Sequence, residues 1–546
     1  MTQKEKILLI FIVLLAFVLR FYQLGQNPPS LTWDEAAIGY NAYSILKTGK
    51  DEHGRFLPID YFASFGDYKP PVAVYASVLS TAIFGLNEFS TRLPSALFGT
   101  LTVLATYFLV KEIFPRKNFQ FSIFNFQLIT SFLLAISPWH ILSSRAAFEA
   151  NIASFFIVLG TYFLVKAIKE KGQHLLLSVL CYLSAVYTFN TPRLFLPLFL
   201  LGLALIYRKE LLKIKKWVII GGCFGLIMIA PLVPHLLSEE GKLRFEEVNI
   251  FTNLEVIKTA NQRIEAEKNS LLARIIHNRR IGYGLLFLKH YLDHFNPGYL
   301  FFHGDVNPKF SIQDTGQLYL IEAPFLVLGL YYLFRSEGKT AWLIILWLLA
   351  GLVPAGMARE TPHALRTLVT LPTWQIIIAW GIIGFYQSFR SKKFKKALSL
   401  FLVTCYILHV TLFLHNYFVH YPKEFSREWQ YGYKEAVLAV AQKYGDYDKV
   451  LVSDVYGRPY IYFLYYLQYP PLKYQQEGIR ERNVFGQYQV KGFDKFRFGD
   501  LSQLISEEDN KKVLFVGRGE EIPQESKTLK EIKFLNGEIA FVIAEK

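Results

Sequence analysis

The chain has 546 residues, 52% of them hydrophobic and 16% aromatic, with 59 Lys and Arg against 44 Asp and Glu. Apolar runs recur from Ile7 to Phe418, and about 20 such residues cross a bilayer core, which excludes a single water-soluble globule. The formal charge of +15 would suit nucleic acid only if it gathered on a soluble face, and its distribution is different.

Ile7–Leu24 follows Lys4 and Lys6, lacks a small-residue cleavage site, and reads as an uncleaved first transmembrane helix. Further spans are predicted near 92–111, 121–138, 151–167, 175–189, 193–207, 217–234, 317–334, 340–356, 365–386 and 397–418, about eleven in all. The loops assigned to the cytoplasm are the N-terminus, Lys111–Gln120, Lys166–His174, Arg208–Lys216, Arg335–Lys339 and Arg390–Lys396. They hold 20 Lys and Arg against 5 Glu, an excess equal to the whole net charge. This positive-inside pattern makes anionic lipid the expected neighbour and argues against nucleic acid. If the apolar segment Pro70–Leu86 also spanned, every later basic loop would change side. A helix lying in the outer interface, or re-entering, keeps them all inside, and Pro70 and Pro71 suit its first turn.

The N-terminus is then cytoplasmic and an odd number of spans puts the tail outside. Three outside regions are long: Gln26–Asn87, His235–Gly316 with amphipathic stretches around Glu255–Tyr283, and Tyr421–Lys546. The tail carries strand-like runs at Lys449–Ser453, Lys512–Val516 and Ile539–Ile543 with helical segments between them, which predicts a small soluble α/β domain over 421–546. Cys181, Cys223 and Cys405 all fall in apolar runs, with no metal or disulfide spacing.

Chemistry-bearing residues cluster on the predicted outer side. Leu31-Thr-Trp-Asp-Glu sets Asp34 and Glu35 together just after a membrane helix. Thr32 would cap a helix whose first turn holds both acids, and such a cap is also a way to fix a catalytic acid. Gly66-Asp-Tyr-Lys-Pro-Pro places Lys69 at the interfacial helix, where an ammonium snorkels or pairs with a lipid phosphate. In Ser137-Pro-Trp-His-Ile-Leu-Ser-Ser-Arg-Ala-Ala-Phe-Glu, Arg145 and Glu149 stand at i and i+4 and are expected to share one helix face. Arg193 falls at a helix start, and His363 and Arg366 lie one turn apart; together they add cations at the outer leaflet. Phosphate-loop, H-E-x-x-H and G-x-S-x-G motifs are absent, so nothing points to ATP, NAD or a cytosolic nucleotide sugar.

The ordered set W-D-E-A-x-x-G-Y, K-P-P, N-E-F-S-T-R-L-P-S and S-P-W-H-x-x-x-S-R-A-A-F-E resembles membrane glycosyltransferases of the GT-C fold. The similarity is to the branch of protein O-mannosyltransferases and aminoarabinose lipid A transferases, glycosyltransferase family 39. It covers residues 1–200 best; Tyr299–Asp305 and Pro362–Arg366 are similar to bacterial members, and the tail shows no match.

The resemblance implies a GT-C transmembrane domain over 1–420 in an α-helical polytopic membrane protein, using a polyprenyl-phosphate-linked sugar donor. It implies catalytic roles for Asp34 and Glu149, with Glu35 beside them. Lys69 and Arg145 fall at donor-phosphate positions, joined here by Arg193, His363 and Arg366. Glu149 replaces the Asp of several relatives. Asp34 would act as general base in an inverting displacement, with cations stabilising the departing lipid phosphate. No metal is then required; Asp34 and Glu149 would be the ligands if Mg or Mn binds. The acceptor is a protein, lipid or glycan, and the setting is the plasma membrane. A lipid or solute transporter is the rival reading, and it expects charges at mid-membrane rather than at helix ends.

Overall fold

The structure, a computed structural model, describes residues 1–114, 125–336, 338–482, 488–506 and 512–546. Most of the loop Lys111–Gln120, the start of the span predicted at 121–138, and position 337 of the loop Arg335–Lys339 lie outside the described residues. The chain forms two compact units.

The first unit comprises Met1–Leu19, Phe98–Ser143 and Ala150–Phe413. Its helices Ala323–Phe334 and Thr373–Ser388 meet at glycines: a Cβ on Gly329 or Gly381 would stand 1.9 Å from the carbonyl oxygen of Ile377 or Phe325. Such close approach holds helices together where lipid supplies no hydrophobic push. The predicted amphipathic region forms Leu254–Ala266, Leu271–Ile276 and Arg279–Asp293.

Among the described residues, five helices are long and apolar enough to cross a membrane: Glu88–Ile113, Glu149–Lys169, Lys215–Leu237, Lys339–Gly356 and Lys392–Glu424. Two bent pairs, Phe126–Ile136 with Pro138–Arg145 (55°) and Ala364–Thr370 with Thr373–Ser388 (59°), raise this to seven. Of the other predicted spans, the first falls on the 19-residue helix Gln3–Phe21 and the rest on shorter apolar helices. Leu175–Val186 has 12 residues and Thr191–Ile206 has 16, separated by a turn that ends at Pro192 in the second helix's first turn. Pro71–Phe84 has 14 residues, about 21 Å of helix, against a hydrocarbon core of about 30 Å. It is shorter than a full span, as are Leu175–Val186 and Thr191–Ile206.

The second unit comprises Arg20–Leu97, Ser144–Glu149 and Leu414–Lys546. Its first loop contains a helix, Trp33–Thr48, and an antiparallel hairpin of β1 (Phe62–Ser64) and β2 (Asp67–Lys69). Its tail contains β3 (Lys449–Ser453), β4 (Ile479–Arg482), β5 (Tyr488–Phe493), β6 (Phe496–Gly499), β7 (Val513–Gly517), β8 (Lys527–Lys533) and β9 (Ile539–Glu545). They form one sheet in the order β4-β5-β6-β3-β7-β9-β8, with β3 parallel to both β6 and β7 and the remaining pairs antiparallel. The three apolar runs read from sequence supply β3, β7 and β9. First loop and tail share one hydrophobic core, in which Leu31, Ala36, Tyr40 and Phe65 are buried with Tyr433, Tyr462, Phe463 and Phe541.

Candidate active site

Thr32 starts the first-loop helix with a reciprocal cap: its hydroxyl accepts from the Glu35 N–H at 3.3 Å, and its own N–H donates to Glu35 Oε2 at 2.9 Å. Glu35 Oε1 also accepts from Arg92 Nε at 2.9 Å and from the Ala147 N–H at 3.1 Å. Arg92 donates onward to the carbonyls of Leu24, Pro28 and Ser30 at 3.2, 2.8 and 2.5 Å. Glu35 is 1% exposed. Both oxygens of Glu35, named beside the catalytic acids, are thus taken up in a buried ion pair that fixes the helix start. Asp34 lies about 100° further round the helix and its side chain is 43% exposed.

Asp34 Oδ1 accepts from Lys69 Nζ at 2.9 Å. The same ammonium lies 3.5 Å from Glu149 Oε1 and 3.7 Å from Asp67 Oδ2. Its side chain is 8% exposed, held at the end of β2 just before the Pro70-Pro71 helix start. Burial alone would depress Lys69, but Asp34, Glu149 and Asp67 outweigh it and hold the ammonium above the usual lysine range. Lys69 thus meets carboxylates here rather than an open phosphate site.

Arg145 and Glu149 do not share a helix face. The helix Pro138–Arg145 ends at Arg145, a turn covers Ala146–Phe148, and a new helix begins at Glu149. Arg145 is fully buried and donates to the carbonyls of Tyr22 at 2.6 Å and Asn27 at 2.9 Å and to the Tyr417 hydroxyl at 3.1 Å. Its guanidinium also lies over the rings of Tyr417 and Phe418. Through these bonds Arg145, expected at the donor phosphate, pins the turn that leads into Asp34.

Arg193, His363 and Arg366 belong to the first unit. Arg193 is third in the helix Thr191–Ile206 and donates to the Val186 carbonyl at 3.4 Å. His363 caps Ala364–Thr367, stacks on Phe310 with ring centres 5.0 Å apart, and donates its backbone N–H to His294 Nε2 at 3.1 Å. Burial, reinforced by Arg366 and His294, holds the His363 imidazole well below its ordinary range. Asp305 accepts from the Ala364 N–H at 2.6 Å, and burial lifts its carboxyl to about 6 despite that bond and the Asn307 N–H. Arg366 donates to the Glu360 carbonyl at 3.4 Å.

Among the described residues no three His, Cys, Asp or Glu side chains gather as metal ligands. Asp34 and Glu149, the residues named for Mg or Mn, are bridged by the Lys69 ammonium.

Several supporting residues escaped the sequence reading. Arg92 was visible as an arginine in an apolar helix, a position that demands a carboxylate partner. Gln430 carries no local signal. Its Oε1 accepts from the Trp33 N–H at 3.1 Å and from the Tyr462 hydroxyl at 2.7 Å, tying the tail to the residue before Asp34.

Residues 68–235 match the family model described as dolichyl-phosphate-mannose-protein mannosyltransferase. The chain is 31% identical over 216 residues to an uncharacterized protein of Aquifex aeolicus, covering 39% of this chain and 40% of that one. It is 29% identical over 202 residues to the putative mannosyltransferase YkcB of Bacillus subtilis, covering 36% and 26%. It therefore spans less than half the length of these curated relatives. The crystal structure of ArnT from Cupriavidus metallidurans bound to undecaprenyl phosphate aligns with 100% of this chain and 98% of that one, at a TM-score of 0.58 and 13% identity. The chain thus has the GT-C fold and is similar to glycosyltransferase family 39.

Proposed function

We propose that this protein is a polytopic glycosyltransferase that moves a hexosyl or pentosyl group from a polyprenyl-phosphate donor to a protein, lipid or glycan acceptor. One observation carries the reading: an exposed carboxylate, Asp34, is held at 2.9 Å by a buried ammonium that also holds Glu149. An acid fixed on a capped helix, open on one side and clamped on the other, is organised to receive a proton. The family match over 68–235 includes Lys69 and Glu149, and the fold is that of a protein crystallised with a polyprenyl phosphate.

In the proposed reaction the acceptor oxygen or nitrogen attacks the anomeric carbon and its proton passes to Asp34. The bond from that carbon to the phosphate oxygen breaks, and the lipid phosphate departs with the electron pair. A single displacement inverts the anomeric centre. Lys69 keeps Asp34 oriented and, with Arg145, adds positive field from within the protein, where charge acts over longer range than in water. Glu149 shares the ammonium and tunes its position. Arg193, His363 and Arg366 are proposed to bind anionic lipid phosphate in their own unit. No metal is assigned a step.

The proposed topology has the N-terminus in the cytoplasm and the Asp34 cluster and tail on the outer face of the plasma membrane. The helix Gln3–Phe21 and the shorter apolar helices other than Pro71–Phe84 join the longer ones to give about eleven spans. Residues 1–420 form the transferase domain and 421–546 an outer α/β domain. The family model and the functionally named relative are transferases, which leaves the transporter reading without support.

The test is transfer of radiolabelled sugar from a panel of polyprenyl-phosphate sugars, in acceptor-rich membranes carrying the wild type or Asp34→Asn. Label should move with the wild type and fall at least about 100-fold in the variant, the scale of general-base loss. Wild-type rates in a folded Asp34→Asn protein would remove Asp34 as the base.

A further inference from the structure

In the first unit, the helix Arg279–Asp293 leaves one face uncovered. The side chains of Ile281, Leu285, Leu288 and Leu292 are all exposed, between 44% and 63%. Their spacing gathers them within an arc of about 60° on the helix surface. The short helix before it, Leu271–Ile276, exposes Leu271 and Ile275 as well. A continuous aliphatic row of this kind marks an interaction surface. The helix is not itself a span, because Arg279, Arg280, Lys289, His290 and Asp293 fall within its 15 residues.

Its opposite face is packed against protein. The Tyr283 hydroxyl donates to the Asn253 carbonyl at 3.1 Å, and its ring centre lies 5.9 Å from that of Phe251. Phe287 and Tyr291 close on Gly356, where an added Cβ would stand 3.1 Å from one and 3.2 Å from the other. His290 Nδ1 donates to the Ala358 carbonyl at 2.8 Å, and the Tyr291 hydroxyl donates to the Leu349 carbonyl at 2.9 Å. Leu349 and Gly356 belong to the span Lys339–Gly356, and Ala358 lies just beyond it. The helix thus crosses the end of a span, at the level where the chain leaves the hydrocarbon. At that level the surroundings of an uncovered aliphatic face are acyl chains and headgroups rather than bulk water.

The charges specify the kind of headgroup. Arg274, Arg279, Arg280 and Lys289 stand among the aliphatic residues, and no Asp or Glu occurs between Leu271 and Leu292. All four cations are exposed, and among the described residues none is paired with a carboxylate. Helix geometry puts Arg280 and Lys289 on opposite flanks of the row. Long basic side chains so placed lay their stems on the apolar layer and their charged ends among lipid phosphates.

We propose that Leu271–Leu292 is a docking surface for an anionic bilayer leaflet, with the aliphatic row in the acyl boundary and the four cations on phospholipid phosphates. The site rests on the chain being a multi-span membrane protein and does not depend on the transferase reading.

The test uses Leu285→Cys, Leu288→Cys and, as a water-facing reference, Asn261→Cys, each carrying a nitroxide. They are made in the full-length chain with Cys181, Cys223 and Cys405 replaced by Ser. The proteins are held in nanodiscs of phosphatidylcholine with or without phosphatidylglycerol. Electron paramagnetic resonance reads their collisions with oxygen and with a water-soluble nickel chelate. At 285 and 288 oxygen should be favoured, and nickel should be at least about tenfold less effective than at 261. Phosphatidylglycerol should lower the nickel reading about twofold further. Combining Arg274→Gln, Arg279→Gln and Arg280→Gln should remove that response without changing the melting temperature, and the corresponding Lys substitutions should keep it. Nickel access at 285 and 288 equal to that at 261 would put the row in water and overturn the site. Shielding from both reagents would assign the row to a protein partner or a second copy, and would overturn it equally. Burial in lipid with no response to phosphatidylglycerol would overturn the anionic leaflet as occupant. No reading requires turnover, so a wild type that moves no sugar leaves this outcome unaffected.

Discussion

Lys69 is the residue on which the cluster turns. Replacing it by Met would leave Asp34, Asp67 and Glu149 facing one another with no counter-charge, so Lys69→Met should lower transfer at least about 100-fold and lower the melting temperature. Its raised folded-state pKa fixes the pH dependence: the stabilisation is fully present below the free lysine value and is lost only as pH rises through the higher folded value. Thermal melts should therefore show no Lys69-dependent change from pH 6 to 9, and wild type and Lys69→Met should converge only in strong alkali. Arg92→Met should cost about 3–5 kcal/mol, because it strands Glu35 as a buried charge, and detergent-phase melts would register it without any assay of transfer. At this scale the sequence was informative about the cap: Thr32 and Glu35 sit at capping-box spacing. It misled at Arg145 and Glu149, since Ala146-Ala147-Phe148 contains no helix breaker. What ends that helix is distant in sequence, with the Ala147 N–H drawn to Glu35.

The turn after the first-loop helix carries a further titrating group. Glu52 is fully buried, with one oxygen accepting from Asn41 Nδ2 at 3.0 Å and Ser64 Oγ at 3.2 Å and the other without a hydrogen-bond partner among the described residues. Burial pushes its carboxyl up to about 7. The unfolded chain ionises it near the ordinary glutamate value, so stability falls as pH rises from about 4.5 to about 7. Glu52→Gln should be nearly neutral at pH 4 and stabilising at pH 8 by on the order of 3 kcal/mol, seen as a higher melting temperature at the upper pH only. Legibility among the elements followed burial. Strands β3, β7 and β9 lie inside the sheet and read as apolar runs. The edge strand β8, Lys527–Lys533, keeps most of its side chains in solvent and alternates too weakly to be noticed. The spans predicted at 175–189 and 317–334 outrun the helices Leu175–Val186 and Ala323–Phe334, because apolar composition continues through the turns that bound them, whereas Glu88–Ile113 and Glu149–Lys169 extend beyond the spans predicted at 92–111 and 151–167.

At the level of the whole molecule, charge placement and chain grouping make separate statements. The basic loops predict sidedness. In a background with Cys181, Cys223 and Cys405 replaced by Ser, Lys213→Cys should resist a membrane-impermeant maleimide in intact cells and Ser502→Cys should react; the reverse pattern would invert the proposed topology. The polar shift near residue 420 marked the tail in the sequence. Its shared core with the first loop had no local signature, because Leu31 and Tyr462 lie far apart along the chain. Deleting 421–546 should therefore expose Leu31, Ala36 and Tyr40, lower the yield of folded protein and abolish transfer, whereas Gln430→Ala should keep the fold and reduce kcat several-fold.

That shared core also dictates an order of events during biosynthesis. The segment bearing Asp34 leaves the ribosome before Gln430, Tyr462 and the sheet that supports them. Until those residues are made, the acid's supporting turn lacks its contacts with them. A chain terminated before residue 430 carries the acid and its ammonium but not the framework that aligns them.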